Sequence, residues 1–213
     1  MLRYVTTNDG KVREAEEYLD AVSSFDYDYP EIQADSLEPI AADGARRAFD
    51  RVGEPVIVDD AGLFIEPFDG FPGPYSAYVE ETLGVEAVGR LARGEDATRA
   101  YFRCVIAYCD GKGFEASPEP VDLEDRRGQD LAADRRATAT TDDTVADDDL
   151  PVKLFTGAVP GRIVEPRGDG GFGYDPIFEH DGTTFAEMSA AEKNAVSHRG
   201  RALAKFAEWY AER

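Results

Sequence analysis

Apolar positions divide the chain into short continuous runs and helical repeats. Leu2 to Thr6 read as one buried strand, and Val12, Ala15, Leu19 and Val22 then recur at helical spacing. Phe25, Tyr27 and Tyr29 alternate with Asp26 and Asp28, the period-two pattern of a half-buried strand. Leu37, Ile40, Ala41, Ala45, Ala48 and Phe49 mark an amphipathic helix that stops before Gly53. The run from Pro55 to Asp60 predicts a central strand, buried on both faces, that ends on the acids Asp59 and Asp60.

Gly70 to Tyr75 is turn-rich, Val85 to Leu91 is helical, and Tyr101 to Cys109 is long enough for a strand at the centre of a sheet. Val152–Ala158 and Arg162–Glu165 read as hairpin arms closing over Val159, Pro160 and Gly161. Ser189 and Glu192 form a capping box opening a helix through Trp209, bent or interrupted at Gly200, with Lys193 and Ser197 on one face.

Length and composition narrow this picture. A chain of 213 residues suits one domain, and no apolar run reaches the roughly 18 residues of a membrane span. The start MLRYVTTNDGK has no basic segment followed by an apolar one, so a cytoplasmic protein is expected. Cys104 and Cys109 lack metal spacing and read as buried apolar residues, and His180 reads as a surface turn residue.

The net charge of −21 argues against a nucleic-acid polymer as partner. It does not argue against a nucleotide, because a local cation cluster outweighs distant charge beyond a screening length of about 8 Å. So acid-rich a surface is also that of proteins adapted to concentrated salt. Residues 113–150 hold 12 acids against 4 arginines and few large apolar side chains, and are expected to be an acidic insertion in the single domain of residues 1–213.

Candidate chemistry gathers at the chain's two ends. Asn8 and Lys11 fall at a helix N-terminus, where amides and dipole favour anions. Asp59 and Asp60 offer hard oxygen ligands suited to Mg²⁺. Pro166 to Gly200 combines glycines, aromatics and cations, a mixture fit for stacking and edge-reading a flat base. Its GxGxxG spacing at Gly168–Gly173 leads into Tyr-Asp-Pro rather than a helix, which excludes a dinucleotide fingerprint.

Five segments stand in order: Thr6-x-Asn8-x-x-Lys11, Asp59-Asp-Ala-Gly-Leu63, Gly70-Phe-Pro-Gly-x-Tyr-Ser76, Pro166-Arg-Gly with Gly171-Phe-Gly-Tyr-Asp-Pro176, and Ala186-Glu-Met with Glu192-Lys-x-x-x-Ser-His-Arg-Gly200. Together they resemble the inosine triphosphate pyrophosphatase family over nearly all of the chain but the acidic insertion. The resemblance implies Mg²⁺-dependent hydrolysis of ITP, dITP and XTP to monophosphate and pyrophosphate, by a homodimer. Alternatives are a Maf-like pyrophosphatase of different base preference and an acidic DNA-mimic protein.

Pattern and resemblance predict an α/β fold, a long twisted mixed sheet flanked by helices, in two lobes with a central cleft. By resemblance Thr6, Thr7, Asn8 and Lys11 hold the triphosphate, with Lys193 as a second cation. Glu31 and Asp60 hold metal, and Asp60 or Asp59, with Lys11, serves catalysis. Phe172 stacks the base beside Gly173 and Tyr174, and Asp175, Ser197, His198 and Arg199 ring its edge. The family's phosphate-contacting lysine is missing from Asp43–Arg47, so that either Arg46 or Arg47 substitutes for it or the contact is absent.

Overall fold

The computed structural model describes residues 1–114, 144–146 and 150–213. Its strands are β1 (Leu2–Val5), β2 (Val22–Phe25), β3 (Val56–Ile65), β4 (Arg99–Cys109), β5 (Thr144–Ala146), β6 (Val152–Ile163), β7 (Phe178–His180) and β8 (Thr183–Thr184). Its helices are α1 (Asp9–Glu16), α2 (Leu37–Val52), α3 (Ser76–Leu83), α4 (Val85–Gly94), α5 (Ala190–Val196) and α6 (His198–Ala211). The strands form one mixed sheet in the order β2-β1-β3-β4-β6-β7-β8, with β5 beside β6. β1 pairs in parallel with β2 and β3, and the pairs from β3 onward are antiparallel.

Three long strands join two lobes. At one end of β3, β4 and β6, α2 covers one face through Leu37, Ala41, Ala45 and Ala48, and α1 and α6 cover the other through Ala15, Ala202, Leu203 and Phe206. Small residues let these helices lie close to the strands. A Cβ on Gly157 of β6 would collide with His198 O and come within 2.6 Å of Ala202 N. At the other end, Leu63, Ile65, Phe102, Val159 and Ile163 pack with α3, α4 and β7 through Val79, Val88 and Phe178. Each fully buried side chain of this kind contributes about 1.5–3 kcal/mol.

Several elements differ from the sequence expectation, each for a local reason. α1 ends at Glu16, and Val22 instead opens β2, opposite Leu2 of β1. β2 stops at Phe25 because its partner β1 stops at Val5; Tyr27 and Tyr29 continue beyond it as a stacked ladder, not as strand. β3 runs past Asp60 to Ile65, so the two acids lie in mid-strand, between the lobes.

The expected hairpin at residues 152–165 is one strand, β6. Pro160 is tolerated because its carbonyl, and hence its missing N–H, faces the side away from β4, where His180 Nδ1 lies 2.8 Å from Pro160 O. His180 is therefore a half-buried residue of β7, not a surface turn. The C-terminal helix breaks at Ser197, whose extended backbone ends α5 and whose hydroxyl accepts from Gly200 N at 2.9 Å to cap α6. Of the segment expected to be an acidic insertion, residues 144–146 form β5; 115–143 and 147–149 lie outside the described residues.

Candidate active site

A cleft of about 670 Å³ opens where β1 and β3 end their parallel pairing, lined by Val5, Thr6, Thr7, Lys11, Asp26, Tyr27, Asp28, Tyr29, Glu31, Val58 and Asp59. Asn8 caps α1 by accepting from Gly10 N at 2.8 Å and Lys11 N at 3.3 Å, and Thr6 Oγ1 accepts from Asn8 N at 3.1 Å. The expected helix start is thus present beside the cleft.

Consecutive strand residues face opposite sides, and this separates the two acids. Asp59 faces α1 and α6. Its carboxylate accepts from Tyr4 Oη at 2.8 Å, Lys11 Nζ at 2.9 Å and Arg199 Nε at 3.0 Å, with its side chain 1% exposed. Burial pushes its pKa up, but Lys11, Arg199 and the hydrogen bonds outweigh that and hold it well below the usual carboxylate range. Arg199 is shared with Glu14, whose Oε2 lies 3.2 Å from Nη1, and Glu14 Oε1 accepts from Ser197 Oγ at 3.1 Å.

Asp60 faces the other way. One oxygen accepts from Ala61 N at 2.9 Å, and the other, Oδ2, is buried with no partner among the described residues. Burial, then the charges of Glu31 and Asp59, push its pKa up to about 7. Of the two acids, Asp59 is committed to internal partners and Asp60 is not.

The second half of the site is built on a glycine-rich loop. Gly171 has φ 73°, and a Cβ there would overlap the Asp175 carboxylate, which receives Phe172 N at 2.8 Å. Phe172 is 55% exposed. Lys193 Nζ, expected as a second phosphate cation, sits 4.4 Å from its ring centre and 2.5 Å from Asp175 Oδ2. Tyr174 is buried and donates to Ser76 O at 2.9 Å, which ties the loop to α3, and Gly173 passes beside the Glu80 carboxylate.

The expected base-edge residues divide. Ser197 caps α6 and binds Glu14, and Arg199 binds Asp59 and Glu14 while its guanidinium carbon lies 5.9 Å from the centre of the Phe172 ring. His198 is buried, its ring stacked 4.8 Å from that of Phe102, and its Nδ1 has no partner among the described residues. Burial and the adjacent Arg199 and Lys193 hold its pKa well below the ordinary histidine value, so the ring is neutral. Arg46 donates to Leu150 O and Ala146 O, and Arg47 pairs with Asp43 on the surface. Neither lines the cleft.

Sequence reasoning missed Tyr4, Glu14, Tyr27 and Tyr29. Glu14 carried a usable signal, since it lies three residues beyond Lys11 on the same helix face.

The α/β fold thus sets a capped helix start and a lysine at the cleft, an acid with an unpartnered oxygen next along β3, and an exposed aromatic ring beside a second lysine on the glycine-rich loop. The chain belongs to the Ham1 family, whose model matches residues 2–121 and 122–209. It is 44% identical to a dITP/XTP pyrophosphatase of Methanopyrus kandleri, over 97% of this chain and 94% of that one. It is 42% identical to a dITP/XTP pyrophosphatase of Thermococcus kodakarensis, over 99% and 97%. The solved structure of a HAM1 protein from Coxiella burnetii superposes with a TM-score of 0.71 at 26% identity, covering 100% of this chain and 98% of that one.

Proposed function

We propose that this protein is a nucleoside triphosphate pyrophosphatase that hydrolyses non-standard purine nucleoside triphosphates, ITP, dITP and XTP, to monophosphate and pyrophosphate. The relatives named for dITP and XTP span the chain end to end and support the substrate class. The observation that carries the chemistry is Asp60, a mostly buried carboxyl with a free oxygen and a pKa near neutrality, at the junction of the two lobes. A free carboxylate oxygen at that place is available to hold a cation and orient the attacking water.

The residues fit a divalent cation, which we take to be Mg²⁺. Glu31 and the free oxygen of Asp60 are hard donors whose charges already repel each other, and among the described residues no third His, Cys, Asp or Glu completes a cluster. Phosphate oxygens and water would fill the remaining positions, as is usual for Mg²⁺. When bound, the cation supplies charge neutralisation on the leaving pyrophosphate and lowers the pKa of water.

The chain's own residues do the rest. The amides at the start of α1, with Thr6, Thr7, Asn8 and Lys11, receive the phosphate tail. Asp59 holds Lys11 and Arg199 in place and takes no part as a base. Phe172 stacks the purine, with Lys193 beneath it and Asp175 fixing the loop. A neutral His198 donates to the 6-oxo group; adenine offers a donor there, leaving a buried group unpaired at about 1–3 kcal/mol.

A homodimer and a cytoplasmic location complete the reading. The exposed side chains of Phe71, Tyr75, Tyr78, Leu83 and Leu91 support self-association, which light scattering would measure. Among the described residues no helix is long and apolar enough to cross a membrane. The deciding assay is pyrophosphate release from dITP, XTP, dGTP and dATP with Mg²⁺, at low and high KCl. Fast turnover of dITP and XTP over dATP is expected, and equal turnover of all four would refute the base reading.

A further inference from the structure

Among the residues that line the cleft, Lys11 is the one cation, set among Asp26, Asp28, Glu31 and Asp59, and its ammonium already rests on Asp59. A polyphosphate entering so acidic a space needs further hydrogen-bond donors. A phenol, protonated at neutral pH, provides one without charge.

Tyr29 is built into that role from two sides. Its ring stacks on Tyr27 at 5.6 Å, and Tyr27 stacks on Phe25 at 5.8 Å, so the aromatic ladder leads from the end of β2 into the cleft. On its other side the phenol lies against the backbone of α2 at Gly44. A Cβ at Gly44 would overlap the phenol oxygen and come within 2.8 Å of Cζ. Gly44 stands inside a 16-residue helix, where glycine is a weak former, and it has no left-handed φ to require it. Its use is the room it leaves.

We propose that Gly44 seats Tyr29, and that Tyr29 Oη is a substrate-binding group that donates to the phosphate tail. The function above is assumed for the identity of the nucleotide, and the phosphate contact stands apart from it. The arginines of the same helix do not compete for the role, since Arg46 reaches Leu150 and Ala146 and Arg47 reaches Asp43.

Tyr29→Phe tests this directly, because it keeps the ring, the stacking and the contact with Gly44 and removes only the oxygen. Calorimetric titration with inorganic tripolyphosphate and Mg²⁺ is expected to show affinity weakened about ten-fold, the scale of one hydrogen bond to a charged group. With dITP the same variant is expected to raise KM by about that factor with kcat little changed, the signature of lost uniform binding. Gly44→Ala should reproduce the loss in the wild type, yet add nothing in a Tyr29→Ala background.

Unchanged tripolyphosphate affinity in Tyr29→Phe would overturn the proposal, as would wild-type protein that does not bind tripolyphosphate. A wild type that binds tripolyphosphate but leaves dITP intact would instead refute the function while the titration still decides Tyr29.

Discussion

Asp60→Asn should make the protein more stable and nearly inactive, with the gain in stability set by pH. In the folded chain burial, then Glu31 and Asp59, raise this carboxyl from 3.8 to about 7. That difference corresponds to about 4 kcal/mol favouring the neutral form, at 1.36 kcal/mol per pH unit. The sign follows from proton uptake: between the two values the folded state binds more protons than the unfolded one, so stability falls as pH rises. The penalty is absent below 3.8, grows across the interval and is complete above about 7.

Asparagine removes the charge and keeps an oxygen for Ala61 N, which donates to Asp60 Oδ1 at 2.9 Å. Some of the gain is lost because the new amide is itself buried, so about 2–4 kcal/mol is expected at pH 8. For a chain of this size that is a rise in Tm of about 4–16 °C. Differential scanning calorimetry at pH 8 and near pH 4, without divalent cations, measures both ends of the window. Equal Tm values at pH 8, or a gain as large at pH 4 as at pH 8, would refute the assignment of a raised pKa. Retention of near-normal turnover would separately remove Asp60 from the reaction.

Three further outcomes follow from the same structure. Arg199→Met leaves the buried carboxylates of Asp59 and Glu14 without their shared partner and should cost about 3–5 kcal/mol in chemical denaturation; a loss under about 1 kcal/mol would show that the network is dispensable. Phe172→Ala should raise KM for dITP by about ten-fold or more through lost stacking, with Tm unchanged because the ring is half exposed; an unchanged KM would place the base elsewhere. With a net charge of −21, Tm should climb between about 0.1 M and several molar KCl as repulsion is screened, and a flat or falling curve would deny any adaptation to salt.

Much of the fold was legible because it rests on local pattern. α2 with its stop at Gly53, the Asn8 cap, the Ser189–Glu192 capping box and the core strand β4 all stand where periodicity and capping residues put them. The errors in the strands share a cause, which is that strand ends are set by partners. Pro160-Gly161 has the composition of a turn but continues β6, because β4 pairs with it throughout and its other side needs no strand N–H there. Ser197 has no strong breaker signal, and it ends a helix because its hydroxyl is drawn to Glu14 and Gly200.

The motifs likewise pointed to Thr6, Thr7, Lys11, Glu31 and Asp59, which the fold brings to one cleft, without fixing their surroundings. Sequence alone determined that phosphate-type and base-type residues lie at opposite ends of this chain, because residue chemistry is local. Only the tertiary structure decided which of two adjacent acids is free. β3 turns Asp59 toward Tyr4, Lys11 and Arg199, and Asp60 to the other side, within reach of the charge of Glu31, where one of its oxygens finds no partner among the described residues. Neighbours in sequence differ in their chemistry because a strand sends them to opposite environments, and burial with nearby charge sets each pKa.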